Sequence, residues 1–120
     1  MIKVLVVHDT LYEAKKLEHY ITSCYDACDV MLCADGGKNE IMDILENASE
    51  EIDLCFTKIK MRSVSGIQIA RKLRSKNARV KIVFISDTDE YALDAWRLGI
   101  NDYLLEPVTM EMIQKSVENI

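Results

Sequence analysis

Short β-branched apolar runs alternate along the whole chain with stretches whose apolar positions recur every three or four residues. The runs are Ile2 to Val7, Val30 to Ala34, Leu54 to Ile59, Val80 to Ile85 and Tyr103 to Leu105. Between them, Leu11, Ala14, Leu17, Ile21 and Cys24 form one stripe, and Ile41, Ile44, Leu45 and Ala48 form a second after the turn signal Asp35-Gly36-Gly37. Ile67, Ala70 and Leu73 follow, then Ala92, Ala95 and Trp96, then Met110, Ile113 and Val117 with Thr109 as N-cap. That spacing predicts helices, each burying its stripe in a core. Five strands alternating with five helices imply parallel βαβ units in an α/β domain.

The first and fourth runs, Ile-Lys-Val-Leu-Val-Val and Val-Lys-Ile-Val-Phe-Ile, are almost continuously apolar. Such strands suit a sheet covered by helices on both faces. An open, doubly wound sheet places its ligands just beyond the carboxyl ends of its strands, beside the point where strand order reverses. The residues predicted there are His8, Asp9, Lys58, Ser86 and Glu106.

Composition narrows the partners. A chain of 120 residues that is 49% hydrophobic, with one Pro and four Gly, reads as a single domain over residues 1–120. A net charge of -5 argues against direct nucleic-acid contact by this domain, which would need clustered Lys and Arg. No apolar run approaches the roughly 18 residues of a membrane span, and Met1 leads straight into a strand. A cytoplasmic setting is expected. Cys24, Cys28, Cys33 and Cys55 contain no C-x-x-C pair and read as reduced thiols. The sharper alternative, zinc held by His19, Cys24, Cys28 and Cys33, matches no familiar zinc spacing. No metal and no cofactor are expected.

At the strand ends the sequence resembles the receiver domain of bacterial two-component response regulators, over essentially the whole chain. Lys58-Ile59-Lys60-Met61 followed by Gly66 mirrors the family's phosphoacceptor strand, in which Asp is followed by Met three positions on and Gly eight positions on. Phe84-Ile85-Ser86 mirrors the fourth strand and its terminal hydroxyl. Tyr91-Ala92-Leu93-Asp94-Ala95, Gly99 and Asp102-Tyr103-Leu104-Leu105-Glu106-Pro107-Val108 mirror the last segment, most like receivers that precede LytTR-type DNA-binding domains. The resemblance implies a flavodoxin-like (βα)5 three-layer sandwich with strand order 2-1-3-4-5. It also makes Glu106-Pro107 a candidate cis bond at Pro107, since receivers commonly hold the equivalent bond in cis.

A working receiver needs a carboxylate nucleophile, acidic ligands for magnesium and a lysine facing the phosphoryl oxygens. Here the nucleophile position is Lys58, the acidic pair has become His8-Asp9, and the lysine before Pro107 has become Glu106. Asp9, Ser86 and Tyr103 still match. A family site carries about three carboxylates against one lysine, a deficit that a dication cancels. Asp9 and Glu106 against Lys58, with histidine counted as neutral, leave a net of about minus one. The acid and the lysine have changed places, so an ion pair from Lys58 to Glu106 would span the pocket.

These departures point to a pseudo-receiver that regulates through protein contacts, by homodimerising or by docking on an output domain. The face implied by the family comprises Tyr91, Trp96, Arg97, Asp102 and Tyr103. The rival is an enzyme, either flavodoxin-like or a phosphotransferase using His8. Flavin phosphate wants a glycine-rich and hydroxyl-rich loop after the first strand, where this chain offers His8-Asp9-Thr10-Leu11-Tyr12.

Overall fold

The computed structural model describes residues 1–34 and 38–120; the turn signal Asp35-Gly36-Gly37 read from the sequence lies outside the described residues. The elements run β1 (Ile2–Val7), α1 (Leu11–Thr22), β2 (Cys28–Cys33), α2 (Lys38–Ala48), a 3-10 turn (Ser49–Glu51), β3 (Leu54–Lys58), α3 (Gly66–Lys76), β4 (Lys81–Ser86), α4 (Ala92–Arg97), β5 (Asp102–Leu105) and α5 (Met110–Glu118). All strand pairs are parallel, and the sheet order is β2-β1-β3-β4-β5. The chain is a flavodoxin-like doubly wound sheet.

Strand alternation divides the core into two layers. Leu5 and Val7 of β1, Cys55 of β3 and Ile82 and Phe84 of β4 face one side, packing with Ile41 and Leu45 of α2, Ile69 and Leu73 of α3 and Ala95 of α4. Val4, Val6, Leu54, Phe56, Val83 and Ile85 face the other, under Ala14, Leu17 and Ile21 of α1 and Ile113 of α5. Successive strand side chains point to opposite faces, so a strand covered on both sides must be apolar at every position.

Two stripe positions depart from the periodicity. Leu11 is 53% exposed and Trp96 is 78% exposed. Both lie on short or terminal turns: Leu11 opens α1, and α4 has only six residues, of which Ala95 alone is buried. Spacing identifies a face but not whether a partner covers it. β2 begins two residues earlier than the apolar run suggests, because parallel pairing carries Ile2 to Cys28 through Val7 to Cys33, with Asp29 on the exposed side of an edge strand. No helix of the described residues is long and apolar enough to cross a membrane.

Backbone bonds beyond the strands fix where the site residues stand. The N–H of His8 donates to Cys33 O at 3.0 Å, that of Ile59 to Ile85 O at 2.9 Å and that of Glu106 to Ser86 O at 2.8 Å, each one step past its strand. Gly66 explains the spacing from Lys58. Its N–H donates to Ile59 O at 2.8 Å, and a Cβ there would run into the Lys58 carbonyl and lie 2.9 Å from Ile59 Cα. Only glycine allows α3 to start so close to the end of β3.

Candidate functional site

Because β1 sends the chain to β2 on one side while β3 lies on the other, the ends of β1 and β3 open a crevice. Lys58, the last residue of β3, projects into it. Its Nζ lies 3.4 Å from Glu106 Oε1 and 3.6 Å from Asp9 Oδ1. The three side chains are largely shielded, at 18%, 19% and 26% exposure for Lys58, Glu106 and Asp9. His8 is buried, with Nε2 3.1 Å from Glu106 Oε2. The structure therefore brings His8, Asp9, Lys58 and Glu106 into one charged network.

In the Nε2–H tautomer, His8 Nδ1 accepts from the Thr10 N–H at 3.3 Å and Nε2 donates to Glu106 Oε2. Asp9 Oδ1 sits 3.0 Å from the same Nδ1. It is shielded from solvent and has no hydrogen-bond partner. With both ring nitrogens engaged and the ring buried, His8 is not placed as an open nucleophile.

Ser86 is buried beside this network, and its Oγ accepts from the Thr88 N–H at 3.1 Å. Tyr103 is half-buried: its hydroxyl donates to Thr88 O at 2.6 Å and its ring meets Phe84 edge-on at 6.5 Å. Glu106-Pro107 is cis. At the mouth of the crevice an open depression of about 390 Å³ is lined by Asp9, Lys58, Lys60, Met61, Arg62 and Asp87, with Lys60 and Arg62 adding exposed cations at its rim. Farther off, Trp96 and Arg97 are exposed on α4, while Tyr91 and Asp102 are half-buried; Asp102 Oδ1 accepts from the Tyr103 N–H at 2.8 Å. These five residues do not touch the charged network.

All four cysteines are free thiols. Burial, reinforced by the Glu40 carboxylate, pushes the Cys33 thiol up to about 12, and burial pushes Cys55 up further. Cys24 and Cys28 are also raised, first by burial and then by nearby acids. Thiols held protonated are poor nucleophiles and poor metal ligands. Among the described residues, His19, Cys24, Cys28 and Cys33 do not converge as a metal cluster; His8, Glu13 and Glu106 do. Glu13 escaped the sequence reading. Its signal was the Thr10-Leu11-Tyr12-Glu13 pattern, which reads as a helix cap rather than as part of a site.

Comparison with known proteins agrees with this architecture. The response regulator receiver domain family matches residues 4–118. The transcriptional regulatory protein NatR of Bacillus subtilis is 25% identical over 118 residues, covering 98% of this chain and 49% of that protein. The sensory transduction protein LytR of Staphylococcus epidermidis is 28% identical over 118 residues, covering 98% of this chain and 45% of that protein. The chain thus spans about half the length of these curated relatives. Among solved structures, a response regulator receiver protein from Pseudomonas putida superimposes with a TM-score of 0.80 at 32% identity, covering 99% of this chain and 97% of that one. The response regulatory domain of mrkE from Klebsiella pneumoniae gives 0.82 at 24% identity, covering 98% and 93%, a likeness of fold. This chain belongs to the response-regulator receiver domain family of two-component signalling.

Proposed function

We propose that this receiver acts without phosphorylation, as a protein-docking module whose strand-end pocket is held by its own side chains. The single observation that carries the reading is the Lys58 ammonium 3.4 Å from Glu106 Oε1 and 3.6 Å from Asp9 Oδ1. Acyl-phosphate chemistry needs a carboxylate at the end of β3. An ammonium there cannot form an aspartyl phosphate, and it occupies the space where magnesium would meet the nucleophile. The ion pair substitutes an internal contact for the ligand-dependent one. Tyr103, hydrogen-bonded through its hydroxyl to Thr88 O, is fixed in the same arrangement.

The docking face is α4 and β5. Trp96, Leu93 and Leu105 are large apolar side chains left open to solvent, with Arg97 beside them. Exposed aromatic and Arg side chains are what protein interfaces use as anchors. The partner is a second copy of the chain or an output domain, of the DNA-binding LytTR type that the sequence resemblance suggests.

The test is phosphorylation chemistry. Incubated with magnesium and acetyl phosphate, the protein should retain its unmodified mass, and beryllium fluoride should leave its amide NMR spectrum unchanged. A stoichiometric, hydroxylamine-labile phosphate would overturn the proposal.

A further inference from the structure

The sequence count of one lysine against two acids omits a third carboxylate. One ligand atom each from His8, Glu13 and Glu106 lies within 4.8 Å of the others. The way α1 begins explains how Glu13 arrives. Thr10 caps the helix by accepting from the Glu13 N–H at 3.3 Å. In a complete capping box the acid at Glu13 would reach back to the Thr10 N–H. That N–H instead donates to His8 Nδ1, so the Glu13 carboxylate is left between Lys16, whose Nζ is 3.9 Å from its Oε2, and the His8–Glu106 pair. At the start of α3 the same device is complete, with Ser65 and Gln68 bonding reciprocally.

The second observation is a shielded oxygen, Asp9 Oδ1, whose contact with Lys58 Nζ at 3.6 Å is an ion pair and not a hydrogen bond. Asp9 Oδ1 has no hydrogen-bond partner, yet lies 3.0 Å from His8 Nδ1. Histidines that bind metals characteristically donate their other ring N–H to a carboxylate, which fixes the tautomer. Moving the ring proton from Nε2 to Nδ1 through solvent gives Asp9 Oδ1 its missing donor. It also frees the Nε2 lone pair toward Glu106 Oε2, 3.1 Å away. That separation is close to the roughly 3.3 Å between neighbouring ligands implied by tetrahedral bonds of about 2.0 Å. Exposed Thr10 then turns its N–H to water.

Charge points the same way. Asp9, Glu13 and Glu106 against Lys58 and Lys16, whose Nζ lies 3.9 Å from Glu13 Oε2, leave one uncompensated negative charge with a neutral ring, so the cluster favours a cation. Lys58 holds Glu106 by Oε1, and Oε2, now opposite His8 Nε2, is open to the ion once the ring proton sits on Nδ1. One imidazole and two carboxylates suit zinc, cobalt or manganese, whereas magnesium prefers an octahedral oxygen shell and keeps its waters.

We infer that His8, Glu13 and Glu106 form a site for a divalent transition metal, oriented by Asp9, in place of the magnesium site of phosphorylating receivers. It replaces the sequence expectation that the pocket holds no metal. The bound ion ties the first turn of α1 to the end of β5, bracing the pocket independently of phosphorylation, so this inference does not rest on the pocket being inert to phosphoryl donors.

The test is titration of the domain with Co2+ and Zn2+ under reducing conditions and excess magnesium, read by visible Co2+ absorption and by calorimetry. One equivalent should bind saturably, with amide shifts centred on His8, Glu13 and Glu106. Glu13→Gln, at a half-exposed helix position, should weaken binding at least tenfold without unfolding the domain. Asp9→Asn should weaken it about 10-fold to 100-fold, as loss of an orienting partner does. Replacing Cys24 and Cys28 by Ser should change nothing. No saturable binding above magnesium, or binding that Glu13→Gln leaves intact, overturns the assignment. The acetyl phosphate assay is read separately, so failure of either reading leaves the other standing.

Discussion

The two ends of the sheet satisfy their polar groups in different ways. At the amino end, side chains bond to backbone. Asn77 Nδ2 donates to Ser49 O at 2.9 Å and Ile52 O at 2.8 Å. Arg74 Nη1 donates to Val80 O at 2.7 Å, and its Nη2 donates to Gly99 O at 3.1 Å. Asp53 Oδ2 accepts from the Lys3 N–H at 2.8 Å, and Asn101 Oδ1 from the Ile82 N–H at 2.9 Å. At the carboxyl end, charged side chains face one another and one shielded oxygen, Asp9 Oδ1, has an ion-pair neighbour but no hydrogen-bond partner. Backbone clamps of the first kind fix loops whatever ligand is present. A charged cluster of the second kind has alternative arrangements of protons, cations and partners. One end is clamped through its backbone, and the other carries the charged cluster.

If that division holds, the largest single loss comes from the amino end. Asn77→Ala leaves the carbonyl of buried Ile52 without a donor and takes one of two from the carbonyl of buried Ser49, which keeps the Ile52 N–H at 3.3 Å. An unsatisfied buried group costs about 1 to 3 kcal/mol, so about 2 kcal/mol is expected in urea unfolding. Binding of metal in the strand-end pocket should be unchanged. A loss below about 0.5 kcal/mol would show that water replaces the amide freely and that the two ends do not differ as described.

The next effect belongs to the pocket. Lys58→Ala leaves Asp9 and Glu106 without their shared cation and should cost about 1 to 2 kcal/mol. Replacing Lys58 and Glu106 together by Met should cost less than the single change, because no charge is stranded. Equal or greater loss in the double variant would mean the pair is held by packing rather than by charge.

The contrast between the ends also explains what could be read in advance. The strands and the core faces of α2, α3 and α5 follow from period alone, because a sheet covered on both faces leaves its mark at every position. Trp96 and Leu11 fall outside the core because a stripe on a six-residue helix, or at a helix start, counts spacing without a partner to cover it; for Trp96 the exposure agrees with its place on the expected interaction face. The polar ends resist such reading more strongly. His8, Asp9, Lys58 and Glu106 could be named because they follow strands, but Glu13 lies on a helix and its pattern is that of a cap. Its nearness to His8 and Glu106 is visible only in the geometry.

The smallest effect gives the sharpest comparison, since each end has an ion pair of nearly the same length. Lys3 Nζ lies 3.3 Å from Glu51 Oε1 at the amino end, and Lys58 Nζ lies 3.4 Å from Glu106 Oε1 at the carboxyl end. Their surroundings differ: the first pair is 40% and 59% exposed, the second 18% and 19%. Distance alone would make them equal, whereas solvent screening makes the exposed pair weak. Double-mutant cycles should give about 0.5 to 2 kcal/mol for Lys58 with Glu106, persisting in moderate salt, and about 0.2 to 0.5 kcal/mol for Lys3 with Glu51. Raising the salt to roughly 1 M shortens the screening length to about 3 Å and should erase the smaller value first. Equal couplings at both ends would show that the pocket is as wet as the surface, and a pocket that wet could not hold the receiver in one state by charge alone.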